Sequence, residues 1–216
     1  MRIAFVHTVN FLVDRFRTAM QAQHPDADCF HILNESLLQD LLRGEDTTTV
    51  YRRVVSQVLL AVDAGAGLVV MTCSSTSPAV DIARRVTEVP ILKIDDPMAA
   101  EAVRLGSRIA VICTNTSTPG PSQALLRDHA AAQGRPVEIE AVIRPEAYQA
   151  LAAGDRARHD ELVTSAATDA AARSDVLVLA QASIAHLRPE LEQSLCKPVL
   201  ASPDLLMQEL GRRLAA

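Results

Sequence analysis

The sequence predicts an α/β protein made of two pseudo-symmetric, doubly wound parallel-sheet lobes. Three observations carry that expectation. Short apolar runs that stop at polar clusters alternate with helix-length amphipathic segments, the pattern of parallel strands covered by helices. The segment GLVVMTCSST (Gly67–Thr76) recurs as SDVLVLAQASIAHL (Ser174–Leu187), with Gly67 falling on Asp175 and Leu68–Met71 on Val176–Leu179. The chain is 49% hydrophobic but only 3% aromatic, so Ala, Val and Leu must fill the core.

Arg2–Val6 reads as the first strand, broken at His7-Thr8-Val9-Asn10, and an amphipathic helix follows from Phe11 to Gln23, stopped by Pro25. Asp28–Leu33 is a second strand, and Ser36–Arg43 a short helix ended by Gly44. Thr47–Thr49 offer N-caps for a helix running to about Ala64, with Val50, Val54, Val58 and Leu59 at helical spacing. Next come the strand leading to Cys73, a helix over Val80–Val86, and a strand Ile91–Ile94 that ends at Asp95-Asp96-Pro97.

The pattern then restarts. A helix Ala99–Leu105 stops at Gly106, and a strand Ile109–Cys113 opens into the hydroxyl-rich loop Thr114–Thr118. A helix Ser122–Gln133 and a strand Val137–Ile143 follow, and Asp155 caps a long helix to about Arg173 that delivers the strand before Gln181. A helix to about Leu195, a strand Val199-Leu200 and a helix Ser202–Leu214 close the chain. The lobes are placed at residues 1–97 with 201–216, and at residues 98–200, so that the last helix returns to the first lobe.

Composition narrows the function. A formal charge of −5 without a Lys/Arg run argues against nucleic acid or an anionic membrane as partner. No apolar stretch nears the length of a membrane span, and Met1-Arg2 runs straight into a strand, so a cytoplasmic protein is expected. Cys29, Cys73, Cys113 and Cys196 are scattered without a CxxC pair, which disfavours a disulfide framework or a zinc site. Gly65-Ala66-Gly67 precedes a strand instead of following one, so it does not fit dinucleotide binding, and no P-loop is present.

Cys73 is the sharpest candidate for chemistry. It ends a buried strand, where open parallel sheets place ligands. A helix start beyond it would stabilise a thiolate able to act as base, acid or nucleophile. The competing reading is a small buried core residue, which is the stronger reading for Cys113. Cys29 and Cys196 read as structural. Ser74, Ser75, Thr114 and Asn115 bring donors to strand ends that could hold a carboxylate or an enolate oxygen; Ser77 and Thr118 read as helix caps. His7 could polarise Cys73 or bind an acid group, Asp95-Asp96 reads as a turn, and His24, His31, His129 and His159 read as surface residues without partners.

With those segments in view, the sequence resembles the aspartate/glutamate/hydantoin racemase superfamily. LVVMTCSST, LVLAQASIAHL, RIAVICTNTSTPGPS and SPDLLMQEL carry the resemblance, whose layout covers essentially the whole chain. It implies a cleft between the two lobes that holds the site, and enzymes that act on small carboxylates or related cyclic substrates without metal or organic cofactor, usually through two facing cysteines. Carried over, Cys73 matches the first-lobe cysteine, while the second-lobe position falls on Gln181. His7 stands where some members carry an acidic residue, and Thr114 matches a threonine that lines the cleft. An amide cannot trade a proton near neutral pH but can donate hydrogen bonds.

The expectation is therefore a cofactor-independent racemase or isomerase that moves a proton next to a carboxylate through the single catalytic residue Cys73. His7, Asn10, Ser74, Ser75, Thr114, Asn115, Gln181 and Ser183 are expected to bind the substrate, and no residue is assigned to a metal. A second base would have to come from His7, His186 or water. A homo-oligomer is allowed but not required. The alternatives are a one-sided decarboxylase or lyase of a small dicarboxylate and a non-catalytic small-ligand-binding protein.

Overall fold

The computed structural model of the chain describes residues 1–215. In its first half β1 (Arg2–His7), α1 (Phe11–Gln23), β2 (Asp28–Leu33), α2 (Ser36–Arg43), α3 (Thr47–Asp63), β3 (Leu68–Met71), α4 (Pro78–Ala83) and β4 (Ile91–Lys93) follow in order. The second half runs α5 (Asp96–Leu105), β5 (Arg108–Cys113), α6 (Pro119–Ala132), β6 (Glu138–Ile143), α7 (Pro145–Ala152), α8 (Arg156–Ala171), β7 (Val176–Leu179), α9 (Arg188–Leu195), β8 (Val199–Ala201) and α10 (Ser202–Ala215). Single 3-10 segments, Ser74–Thr76 and Ala182–Leu187, follow β3 and β7.

The strands form two four-stranded parallel sheets, ordered β2-β1-β3-β4 and β6-β5-β7-β8. The repeat seen in the sequence is a repeat of register. Ile3 pairs with Leu68 as Ile109 pairs with Val176, and Val69 pairs with Ile91 as Leu177 pairs with Val199. Both faces of each sheet are covered, which is why these strands read as unbroken apolar runs. In the first sheet Ala4, Val6, Val69, Met71 and Ile91 pack on Val50, Val54 and Val58 of α3 and Ala79 and Ala83 of α4. On the other face Phe5 stacks on Phe16 of α1. In the second, Ile112, Leu177 and Leu179 meet Val163, Ala166 and Ala170 of α8, while Val111 and Val178 meet Met98 of α5 and Leu126 of α6. Small helix residues let the layers approach without aromatic filling.

By internal contacts the chain divides into two compact units, Met1–Ile94 with Met207–Ala216, and Asp95–Leu206. These changeovers lie a few residues from those expected at Pro97 and Ala201. Ser202 Oγ donates to the buried Asp95 carboxylate, so both the start of α10 and the end of the β4 segment are fastened within the second unit. Asp95 is thus more than the turn residue it was expected to be.

Other local expectations are also corrected. α7 was not anticipated, although Pro145 at its first position and Glu146 in its first turn are start signals. The four histidines read as unpartnered are mostly engaged: His31 with His7, His129 with Asp96, and the fully buried His159 with Asp160.

At the N-terminal end of the second sheet, Asp175 accepts from the backbone N–H groups of Ser107 and Arg108 and from the Arg108 guanidinium. These bonds hold its carboxyl well below the usual carboxylate range, the Arg108 side chain contributing most. Gly106 makes room for this clasp, since a Cβ there would lie 2.6 Å from Asp175 Cβ and 2.9 Å from Val176 Cγ2. Gly106→Ala should therefore destabilise the protein by roughly 1–3 kcal/mol, the usual cost of overpacking. A urea-unfolding midpoint equal to the parent's would contradict this.

Candidate active site

In each sheet the strand order reverses beside the first strand, between β1 and β3 and between β5 and β7. Such switch points are where open α/β sheets bind ligands, at the carboxyl ends of the strands. His7, Thr8, Thr72 and Cys73 occupy that position in the first sheet, and Thr114 and Gln181 occupy it in the second.

Cys73 follows β3 in extended backbone (φ −128°, ψ 117°) and is 7% exposed. Its carbonyl accepts from Thr76 Oγ1 (3.2 Å) and Ser77 Oγ (3.3 Å), so the two hydroxyls fold the next turn back onto the cysteine. Ser77 thus reaches backward instead of capping α4, whose first residue is Pro78. Ser74 and Ser75 lie in the intervening 3-10 turn, with Ser75 buried and Ser74 half-buried. The helix expected from near Pro78 is α4, and this single 3-10 turn separates it from the thiol.

His7 is fully buried and does not wait for a substrate. Its Nδ1 lies 2.8 Å from Thr72 Oγ1 and its Nε2 lies 2.9 Å from His31 Nδ1. The His7 and His31 rings stack on each other, and each stacks on Phe5. Burial first, then the neighbouring His31 and Arg17, lower the His7 pKa from its ordinary value to about 3, so the ring is neutral at physiological pH. The pleat also separates it from the thiol. Thr72 shares the α1 face with His7, whereas Cys73, the next residue in extended backbone, alternates to the opposite face. With both nitrogens taken, His7 supports the strand end rather than polarising the sulfur directly. Asn10 sits at the N-cap position of α1, exposed, without a side-chain capping bond.

In the second sheet Thr114 donates twice to Gln181 Oε1, from its backbone N–H and from Oγ1 (3.0 Å). A backbone N–H can only meet the carbonyl end of the amide, so the two Gln181 N–H donors are turned away from Thr114. Asn115 Oδ1 likewise accepts from Ser117 Oγ (3.1 Å), Thr118 N–H (3.1 Å) and Thr118 Oγ1 (2.7 Å). Asn115 and Thr118 therefore build the loop, and Thr118 makes no side-chain cap on α6. Ser183 is half-buried in the 3-10 segment after Gln181. That segment is tied to α8 because His186 Nε2 (3.0 Å) and His159 Nδ1 (2.7 Å) both donate to Asp160 Oδ1. Burial raises the Asp160 pKa, but the two histidine hydrogen bonds outweigh it and hold the carboxyl below its ordinary value. His186, named as a second base, is thereby paired to a carboxylate.

The other cysteines are set apart. Cys113 is fully buried, and burial pushes its thiol up to about 12. Cys29 lies within β2, and Cys196 is exposed after α9. A surface cavity of about 290 Å³ lined by Arg108, Glu138, Glu140 and Arg173 opens at the opposite, N-terminal end of the second sheet. There Arg173 binds Glu140 through two 2.6 Å contacts. Among the described residues no group of three or more His, Cys, Asp or Glu side chains is placed to hold a metal ion, and no helix is long and apolar enough to cross a membrane.

A family model described as Asp/Glu/Hydantoin racemase matches residues 7–210, a span that contains both switch points. The chain belongs to the Asp/Glu/hydantoin racemase family. It is thus a racemase-type enzyme, of the isomerase class. Solved structures of the same fold include allantoin racemase from Klebsiella pneumoniae, 18% identical over 100% of this chain and 88% of that one, with a TM-score of 0.71. Glutamate racemase from Aquifex pyrophilus is 19% identical over 98% of this chain and 83% of its own, with a TM-score of 0.69. Arylmalonate decarboxylase is 19% identical over 100% of this chain and 93% of its own, with a TM-score of 0.60. At these identities the likeness speaks for the fold. No curated protein matches the sequence.

Thr8 escaped the reading of the sequence. It is 2% exposed, and the strand register that sets Cys73 on Gln181 sets Thr8 on Thr114. The strand register reveals that match, because the repeat read in the sequence at Cys73 and Gln181 would set Thr8 on Thr116.

Proposed function

We propose that this family member moves one proton through Cys73, at the carbon next to a carboxylate or related carbonyl of a small substrate. The thiolate takes the proton from that carbon, the bonding pair passes into the carboxyl group as an enediolate, and the thiol then returns a proton to carbon. Asn115, Gln181 and Ser183 are assigned as neutral donors that hold the developing oxyanion, with Thr114 fixing the Gln181 amide and Ser74 and Ser75 beside the thiol. Asn10 keeps its assignment as a substrate contact, whereas His7 acts through Thr72. The single observation carrying the reading is Cys73 at the first sheet's switch point, with Gln181 at the matching position of the second. One end of the repeat can trade a proton, whereas the other offers only the hydrogen bonds of an amide.

The same asymmetry favours a second reading. In a one-sided lyase the bond to a carboxyl group breaks, carbon dioxide leaves, and Cys73 protonates the resulting enediolate. The fold shared with arylmalonate decarboxylase is consistent with it.

The test is incubation in deuterated buffer with aspartate, glutamate, allantoin and an arylmalonate, followed by NMR. Deuterium entering at the carbon next to the carbonyl of an otherwise unchanged compound supports proton transfer at that carbon, and inversion of its configuration would in addition require a second proton source. Release of carbon dioxide with one solvent deuteron in the product supports the lyase. A ligand that binds without either outcome would overturn both readings of Cys73.

A further inference from the structure

One polar row crosses three neighbouring strands of the first sheet, with His31 within β2, His7 at the end of β1 and Thr72 just after β3. The proton order along that row is fixed by its last member. Thr72 Oγ1 lies 3.0 Å from the Val6 carbonyl, which can only accept, so the Thr72 hydroxyl proton must point there. Its lone pair is then left for His7, 2.8 Å away, which puts the His7 proton on Nδ1. His7 Nε2 becomes an acceptor, and the group 2.9 Å from it, His31 Nδ1, must carry the donated proton. One carbonyl thereby sets both histidine tautomers. The groups around the row are the Asp14 and Arg17 pair on α1, which acts on His31, and the Phe5 and Phe16 rings.

We propose that His31, His7 and Thr72 form a one-way hydrogen-bond relay whose role is to position Cys73, and that Thr72 and His31 are positioning residues of the enzyme. The row cannot deliver a proton toward the thiol, because it ends on a carbonyl that has none to pass on. What it supplies is a fixed strand end. Thr72 is held at its side chain by His7 and Val6, and its backbone N–H donates to the same Val6 carbonyl (3.1 Å). The next residue is Cys73, held on its other side by Thr76 and Ser77 at its carbonyl. With the backbone pinned upstream and downstream, the sulfur is left mainly its own side-chain rotation. This inference rests on Cys73 being the proton-transfer group, and its test separates the two.

Thr72→Val keeps the shape and deletes the hydroxyl, stranding the His7 donor and one acceptor site of Val6; Thr72→Ser keeps the hydroxyl. For the exchange reaction, T72V should lower kcat by roughly 10–100-fold, the scale of a small misplacement of a reacting group. KM should stay within about twofold, and T72S should recover most of the rate. Equal rates in T72V and the parent would overturn the proposal. So would equal losses in T72V and T72S that follow their melting temperatures. A second measurement needs no substrate. Ring nitrogen–proton NMR correlations should show Nδ1–H on both His7 and His31, and Nε2–H on His7 would overturn the relay. If C73A keeps full exchange activity, the assignment of Cys73 fails, while the ring correlations still judge the relay on its own terms.

Discussion

Cys73→Ala loses proton exchange at carbon by at least about 10³-fold, within the range that a positioned acid–base group contributes. Its fold survives, because the substitution removes one small atom from a site that is 7% exposed and leaves the carbonyl bonds from Thr76 and Ser77 in place. Cys73→Ser falls nearly as far, since a hydroxyl is a far weaker proton acceptor near neutrality. The internal control is Cys113→Ala. That thiol is fully buried, with burial pushing it up to about 12, so its removal leaves the exchange rate within a fewfold of the parent. Exchange rates, circular dichroism and melting of the three variants check the set. A C113A loss as large as that of C73A would mean that the protein responds to packing rather than to the lost thiol.

The second large effect is acid sensitivity centred on His7. In the unfolded chain this histidine takes up a proton near its ordinary pKa of 6.5, whereas in the fold it does so only near 3. Between those values the unfolded state binds more protons, so stability falls as pH falls from about 6.5 and is unaffected by this group above it. From pH 8 to pH 5 the loss through His7 alone is about 2 kcal/mol. His31 is shifted in the same direction, by burial first and Arg17 second, and adds to the loss. The depressed carboxyls of Asp160 and Asp175 act in a different window. Their stabilisation is complete above the ordinary carboxylate pKa and is lost only as pH falls below it. Urea unfolding at pH 8, 6.5 and 5 checks this, with His7→Asn as the comparison. Asparagine can still donate toward Thr72 but does not titrate, so H7N should be weaker at pH 8 and show a shallower decline between pH 6.5 and 5. An equal decline in parent and variant would remove His7 as the source.

The same residues show what the sequence could convey. Strands such as Ile109–Cys113 and Val176–Leu179 are covered on both faces, so they stand out as apolar runs, and their shared register makes the repeat visible in the letters. α1, β2 and α2 have caps or breakers at their ends and were legible to the residue. α7 was not, because eight residues with a single buried position carry no stripe. His159 was legible in principle, since it lies four residues before Val163 on the buried face of α8. His31 was not, because its partner is set by the pairing of Phe5 with His31 across strands, which no local pattern records. Ser77 illustrates the limit for the site: a hydroxyl before a helix is an ordinary cap, and only the turn after Cys73 shows that it reaches back instead.

The central claim is that a single sulfur, Cys73, works opposite in role to an amide that cannot exchange protons. Its most direct test is the time course of solvent deuterium entry into each pure enantiomer of an exchanging substrate, followed by NMR with chiral analysis. A lone thiol should wash deuterium into one enantiomer much faster than into the other, and C73A should do neither. Equal entry into both enantiomers by the parent protein would require a second acid–base group and would contradict the account.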